Sequence, residues 1–408
     1  MNSVLIQMIL NLVFLPIYNL LLLSSLPSGL LTEYRILGIS GWLGFNLFLT
    51  KQLKYEWKKP VILQALLIPI ALLGLYYIHL RFTLQPYGGS WDTYGMWYVK
   101  TRDYVETFLR GEEFVLIHFD WIQPNYPIFF PLFVSFFQIL SGEWLDEIPF
   151  LYHYFLYLLS FLPIYLILQD RKPTLFSAYL ILTHGLLLPI LVSASNQILD
   201  FSVATFAGLG VFFLFQIESG KWDQNWKSFF FLALSFVLVL NTKEEGLIYS
   251  ILLLGFLLLF SKLNRVSYAW KVSLPTFILF FFLLVLYKIS APIAMQFSLV
   301  PELLKKFILD PERYKLVFNL YLYHQKNVLY ADAIIPAILL LLYRKNLKYL
   351  LIPLGASFAF FFILIITIYN QQWHIETAQG RLQTGVLQVM ILTALMIHFS
   401  SLEAEEGK

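Results

Sequence analysis

Apolar runs of about 18 residues or more recur along this chain, each near the ~20 residues that carry an α-helix across a bilayer. Runs such as 251–260 (ILLLGFLLLF) show no alternation of apolar and polar positions. That excludes a membrane β-barrel, whose strands alternate between lipid and lumen. Hydrophobic residues make up 59% of the 408 positions and charged residues 13%. A soluble domain carries about a quarter of its residues as charges, so this much apolar surface needs lipid to cover it. The sequence predicts an all-α, polytopic transmembrane bundle of about 12 spans.

Spans are expected at 4–24, 36–50, 61–80, 149–168, 174–192, 199–217, 228–242, 246–261, 270–290, 333–343, 348–369 and 382–400. Those at 36–50 and 333–343 are short for a full crossing. The apolar stretch 127–140 is short too and reads as an interfacial or partly inserted helix. The first run lacks a basic n-region and a small-residue cleavage site, so it is expected to stay as a helix. No soluble domain and no solenoid repeat is evident.

Charge sets the expected orientation. The short loops 51–60, 169–173, 218–227, 262–271 and 343–349 all carry Lys or Arg, and short basic loops stay cytoplasmic. Polar clusters at 91–127, 193–200, 243–245, 291–332 and 370–381 then share the outer face. The chain has no cysteine, which excludes disulfides, thiolate-bound zinc and thiol catalysis. The net charge of +3 is spread out, with no basic run that would suit nucleic acid.

The polar clusters carry the chemistry. In 88–100 (GGSWDTYGMWYVK), Asp92 stands between aromatic residues at the membrane surface. A carboxylate at lowered dielectric there suits proton transfer; alternatively it caps a helix over 93–110 inside an aromatic belt. In 118–127 (HFDWIQPNYP), His118 can orient a phosphate or hydroxyl and Asp120 can hold a cation, with Asn125 between two prolines; the plainer reading is an ordered, proline-fixed loop. In 193–200 (SASNQILD), Asp200 opens an apolar helix, where an anion is favoured anyway. A second carboxylate facing Asp92 would hold a metal or divide acid and base roles. In 241–247 (NTKEEGL), Lys243, Glu244 and Glu245 stand between two apolar runs, and Lys243 can bind phosphate as a point charge; a solvated turn is the alternative. In 371–382 (QQWHIETAQGRL), His374 and Arg381 flank Glu376. Arg381 either clamps a phosphate or snorkels beside Glu376.

Together these segments resemble the GT-C glycosyltransferases, polytopic enzymes that use polyisoprenyl-phosphate sugars. The group includes protein O-mannosyltransferases and lipid A aminoarabinose transferases. SWDTYGMWYVK and PNYPIFFPLF resemble its first outer loop, NQILDFSVATF its later acidic helix start, and NTKEEGL its Thr-Lys-containing turn. The likeness covers roughly 75–270 and is loose beyond. It departs at Asn125, where the bacterial subgroup carries Asp, and at Glu244, where it carries Asn.

An N-terminal transmembrane hairpin (1–60) is expected, a departure from the single span more usual in that group; the resemblance implies a catalytic module (61–290) with an outer loop at 81–148 containing amphipathic juxtamembrane helices, and a C-terminal loop with further helices (291–408) follows. It implies an inverting transfer of a hexose or pentose from a polyprenyl phosphate or diphosphate to a lipid, glycan or protein acceptor. Asp92 is expected as general base. His118, Asp120, Asn125, Asp200, Lys243, Glu244, Glu245, His374 and Arg381 are expected to bind substrate. A divalent metal, Mg or Mn, would fall to Asp92, Asp120 and Asp200. The expected setting is a bacterial inner membrane with the site facing outward, among membrane lipids. The competing readings are a transporter or lipid flippase and a non-catalytic assembly subunit.

Overall fold

A computed structural model describes residues 3–53, 97–115, 127–168, 199–218, 226–243, 245–260, 310–323, 333–343, 346–366 and 380–406. Among these residues the fold is helical, without strands. The helices are α1 (Ser3–Ser25), α2 (Leu31–Leu53), α3 (Val99–Leu109), α4 (Phe129–Ser141), α5 (Glu147–Leu168), α6 (Leu199–Glu218), α7 (Trp226–Leu240), α8 (Gly246–Phe260), α9 (Pro311–Tyr323), α10 (Ile335–Leu342), α11 (Leu351–Ile366) and α12 (Gly380–Glu406). A 3₁₀ turn, Leu347–Leu350, feeds α11. Among the described residues, four stretches are long and apolar enough to cross a membrane: Leu5–Ser25, Leu199–Glu218, Leu347–Ile365 and Arg381–His398. The expected spans 61–80, 174–192 and 270–290 lie outside the described residues. The helix expected at 36–50 is longer, running Leu31–Leu53.

The chain divides into two compact units, Met1–Leu162 with Ala194–Ser202, and Pro163–Ser193 with Val203–Lys408. In the first, side-chain hydrogen bonds tie apolar helices together. Lipid supplies no hydrophobic drive between helices, so polar pairs and close packing must do this. Asn46 Oδ1 accepts from Gln7 Nε2 at 2.8 Å and from Asn11 Nδ2 at 2.9 Å, while Trp42 Nε1 donates to Asn11 Oδ1 at 2.9 Å. Asn19 is fully buried and joins three helices. Its Nδ2 donates to Leu132 O at 2.6 Å and Ser135 Oγ at 2.9 Å; its Oδ1 accepts from the Tyr34 hydroxyl. Arg35 donates to the carbonyls of Leu140 and Ser141, at 2.9 and 2.8 Å. These are end-of-helix acceptors of α4 that lack intrahelical donors.

The second unit fixes which helix ends lie together. Phe213 meets Phe231, and a Cβ at Gly210 would meet Ser235. As one number rises the other falls, so α7 runs antiparallel to α6. A Cβ at Gly210 would also stand 2.7 Å from Leu253 Cδ1, and Phe215 and Phe256 both pack on Tyr349. Thus α8 runs parallel to α6. Thr205 Oγ1 accepts from Gln388 Nε2 at 2.8 Å, and Gly208 faces Leu392, so α12 is parallel as well. Tyr249 meets Phe360 and Gly355 faces Leu252, making α11 antiparallel to α8. One end of this unit therefore holds the Val203 side of α6, the α7–α8 turn, the end of α11 and the start of α12. The other end holds Glu218 and the 3₁₀ turn.

The segment expected as a plain loop at 291–332 contains α9. Asp310 caps it, Oδ1 accepting from Glu312 N at 3.1 Å, and Pro311 occupies the first helical position. Both residues suit a helix start. Val317 packs against Leu364 and Ile365, which sets α9 at the same end as the α7–α8 turn. Arg313 on α9 is held below the usual arginine range by burial, which nearby Asp310 partly offsets.

Candidate active site

The tightest geometry among the expected site residues is the turn joining α7 to α8. Asn241 N donates to Val237 O at 3.0 Å and Gly246 N to Lys243 O at 2.9 Å. Thr242 Oγ1 turns back onto Leu238 O at 2.5 Å. Gly246 is required here, because a Cβ would stand 2.0 Å from Val239 O. Lys243 is not the solvated side chain that three adjacent charges suggest. The Lys243 side chain is only 7% exposed, and its Nζ lies 3.0 Å from Glu245 Oε1, on a side chain 24% exposed. A buried ammonium keeps its charge only beside an anion or several acceptors.

Arg381 stands at the start of α12, half-buried, with its Nε buried. Parallel α6 and α12, with α8 beside them, bring Arg381 and Lys243 to one end of the second unit. One turn further in, Gln383 and Ser357 face each other at 3.3 Å, and Gln388 with Thr205 follows. That end is lined by polar groups from its rim into the bundle.

Asp200 belongs to the first unit and lies in the first turn of α6, 8% exposed. Its carboxylate is shielded from solvent, with Oδ2 buried. Ser202, two residues on, is the side chain that interacts with the Tyr152 hydroxyl. Asp92, His118, Asp120, Asn125, Glu244 and His374 lie outside the described residues. Among the described residues no three His, Asp or Glu side chains converge into a metal-holding group. Of the carboxylates expected to hold a metal, only Asp200 is described.

Sequence reasoning missed two buried polar residues of the first unit. Lys100, at the start of α3, is 1% exposed, with Nζ 5.9 Å from the centre of the Trp97 ring. Trp97 in turn packs edge-on against Phe130. The signal was available: Lys100 shares the inward face of α3 with Tyr104 and Phe108, at helical spacing. His153 is fully buried between Tyr152 and Phe130, its Nδ1 2.9 Å from Pro149 O. Donation from Nδ1 to that carbonyl leaves Nε2 as an acceptor. Nothing in the run 149–157 marked it out, since a lone histidine on an apolar helix is most often a core residue.

No family model, no curated protein and no solved structure matches this chain.

Proposed function

We propose that the protein is a membrane glycosyltransferase of the GT-C kind. It moves a sugar from a polyprenyl phosphate or diphosphate to an acceptor hydroxyl or amine at the outer membrane face. Asp92 is the general base that takes the acceptor proton as the new glycosidic bond forms. Lys243 and Arg381 neutralise the departing phosphate, whose charge grows in the transition state. His118, Asp120, Asn125, Asp200, Glu244 and His374 shape the donor and acceptor sides. If a divalent ion takes part, Asp92, Asp120 and Asp200 are the carboxylates to hold it.

The observation that carries this reading is the inward-turned Lys243 at the same end of its unit as Arg381. Cations buried at a helix-bundle end suit an anion that arrives from the lipid side, because the prenyl tail never has to leave the bilayer. A transporter concentrates ionisable groups near the bilayer midplane. In the four described membrane-length stretches, Asp, Glu, Lys, Arg and His occur only near the ends: Asp200 and Glu218, Lys348, Arg381 and His398. That distribution favours surface chemistry over transport.

The experiment is sugar transfer in membranes containing Asp92→Asn protein at wild-type abundance. The reading expects activity to fall at least about 100-fold, the usual weight of a general base. Full activity would remove Asp92 from that role.

A further inference from the structure

Glu245 has a part in this site different from that of a sugar ligand. Its Oε1 receives the Lys243 ammonium at 3.0 Å, while Oε2 is buried and has no hydrogen-bond partner. A buried carboxylate oxygen without a donor is an unfavourable arrangement. Glu245 is also the more exposed side chain of the pair, 24% against 7%. The backbone of both residues is anchored: Gly246 N bonds Lys243 O, Ile248 N bonds Glu245 O, and Gly246 has no room for a larger residue. Those bonds are made by backbone atoms, so rotation of the Glu245 side chain leaves them intact.

We infer that Glu245 is a displaceable counter-ion, holding Lys243 charged and oriented until the phosphate of a prenyl-linked ligand takes its place. This rests on the sugar-transfer reading of the site and assigns Glu245 a positioning role within it. The exchange swaps one anion for another at the same ammonium. The cost of stripping water from that ammonium is met before the ligand arrives. It also rejects uncharged prenyl compounds, which cannot replace the carboxylate. Glu245 precedes the first residue of α8, a position that favours an anion in either state.

The test is binding of farnesyl phosphate to the purified full-length protein in lipid nanodiscs, with farnesol as the uncharged control. Wild type is expected to bind the phosphate and not farnesol. Lys243→Met is expected to lose that preference. Glu245→Gln is expected to bind farnesyl phosphate about five-fold tighter, since a competing partly exposed ion pair has been removed. Glu245→Asp, which keeps the charge but shortens its reach, is expected to fall between, and covers the case in which the glutamine variant does not fold. Unchanged or weaker binding in both Glu245 variants, with wild type still preferring the phosphate, overturns the counter-ion role alone. Equal binding of farnesol and farnesyl phosphate by wild type overturns the phosphate site and this inference with it.

Discussion

Glu218 and Lys348 are 130 residues apart in sequence, yet Lys348 Nζ lies 2.5 Å from Glu218 Oε2. The Tyr349 hydroxyl donates to the same oxygen, and Tyr349 stacks on Phe256 with ring centroids 4.9 Å apart. This joins α6, α8 and the 3₁₀ turn at the end of the second unit opposite Lys243. The two partners come from the segments 218–227 and 343–349, and their contact brings both segments to one end of the second unit.

Removing one partner leaves the other charge partly buried. Lys348→Met is expected to lower unfolding stability by about 2 kcal/mol, between the exposed and fully buried limits. Glu218→Gln should do likewise. The double variant should lose less than the sum of the two. Thermal unfolding of the detergent-solubilised protein measures all three.

Gly246 and Gly255 lie on one helix and should respond oppositely to alanine. At Gly246 the added carbon meets Val239 O at 2.0 Å; at Gly255 nothing lies within 4 Å. Gly246→Ala is expected to destabilise by about 3 kcal/mol through overpacking. Gly255→Ala is expected to stabilise by about 1 kcal/mol through helix propensity. The same unfolding assay reads both.

Asn19 tests the polar tie between α1, α2 and α4. Asn19→Leu removes both donations to Leu132 and Ser135 and strands the Tyr34 hydroxyl. The expected loss is about 2–3 kcal/mol, the cost of leaving a buried hydroxyl unsatisfied together with a poorer fit. Pairing it with Tyr34→Phe should recover part of that loss, because the stranded donor is gone.

Much of the helical frame was legible from local sequence. The apolar runs that become α1, α6 and α8 have no charged interior, and nothing but a spanning or core helix accommodates them. The extent of α2 was not legible, because Glu33, Arg35 and Lys51 give its ends the look of loop. Arg35 belongs there because its fork reaches the final carbonyls of α4, a contact made 105 residues away. Helix α9 hid in a polar segment whose apolar face, centred on Val317, is narrow. In the candidate site, Lys243 and Arg381 were legible as residues of interest because each sets a charge beside an apolar run. The direction of Lys243 was not legible: a charged triplet between helices looks solvated unless tertiary packing turns one member inward. Lys100 went unnoticed because its charge outweighed its place on the inward face of α3.

Lys243 and Arg381 should separate in their effects. Lys243→Met is expected to reduce transfer at least about 100-fold, by removing a buried charge next to the leaving phosphate. Arg381→Lys keeps the charge but loses the planar fork, and is expected to lower activity about ten-fold. Initial rates in membranes with matched protein levels check both.

The most direct measurement is mass spectrometry of the lipids that stay bound to the purified protein, wild type beside Lys243→Met. Sugar-bearing polyprenyl phosphates enriched on wild type and depleted on the variant are the predicted result. The same bulk phospholipids on both proteins, with no glycosylated prenyl lipid on either, would contradict it.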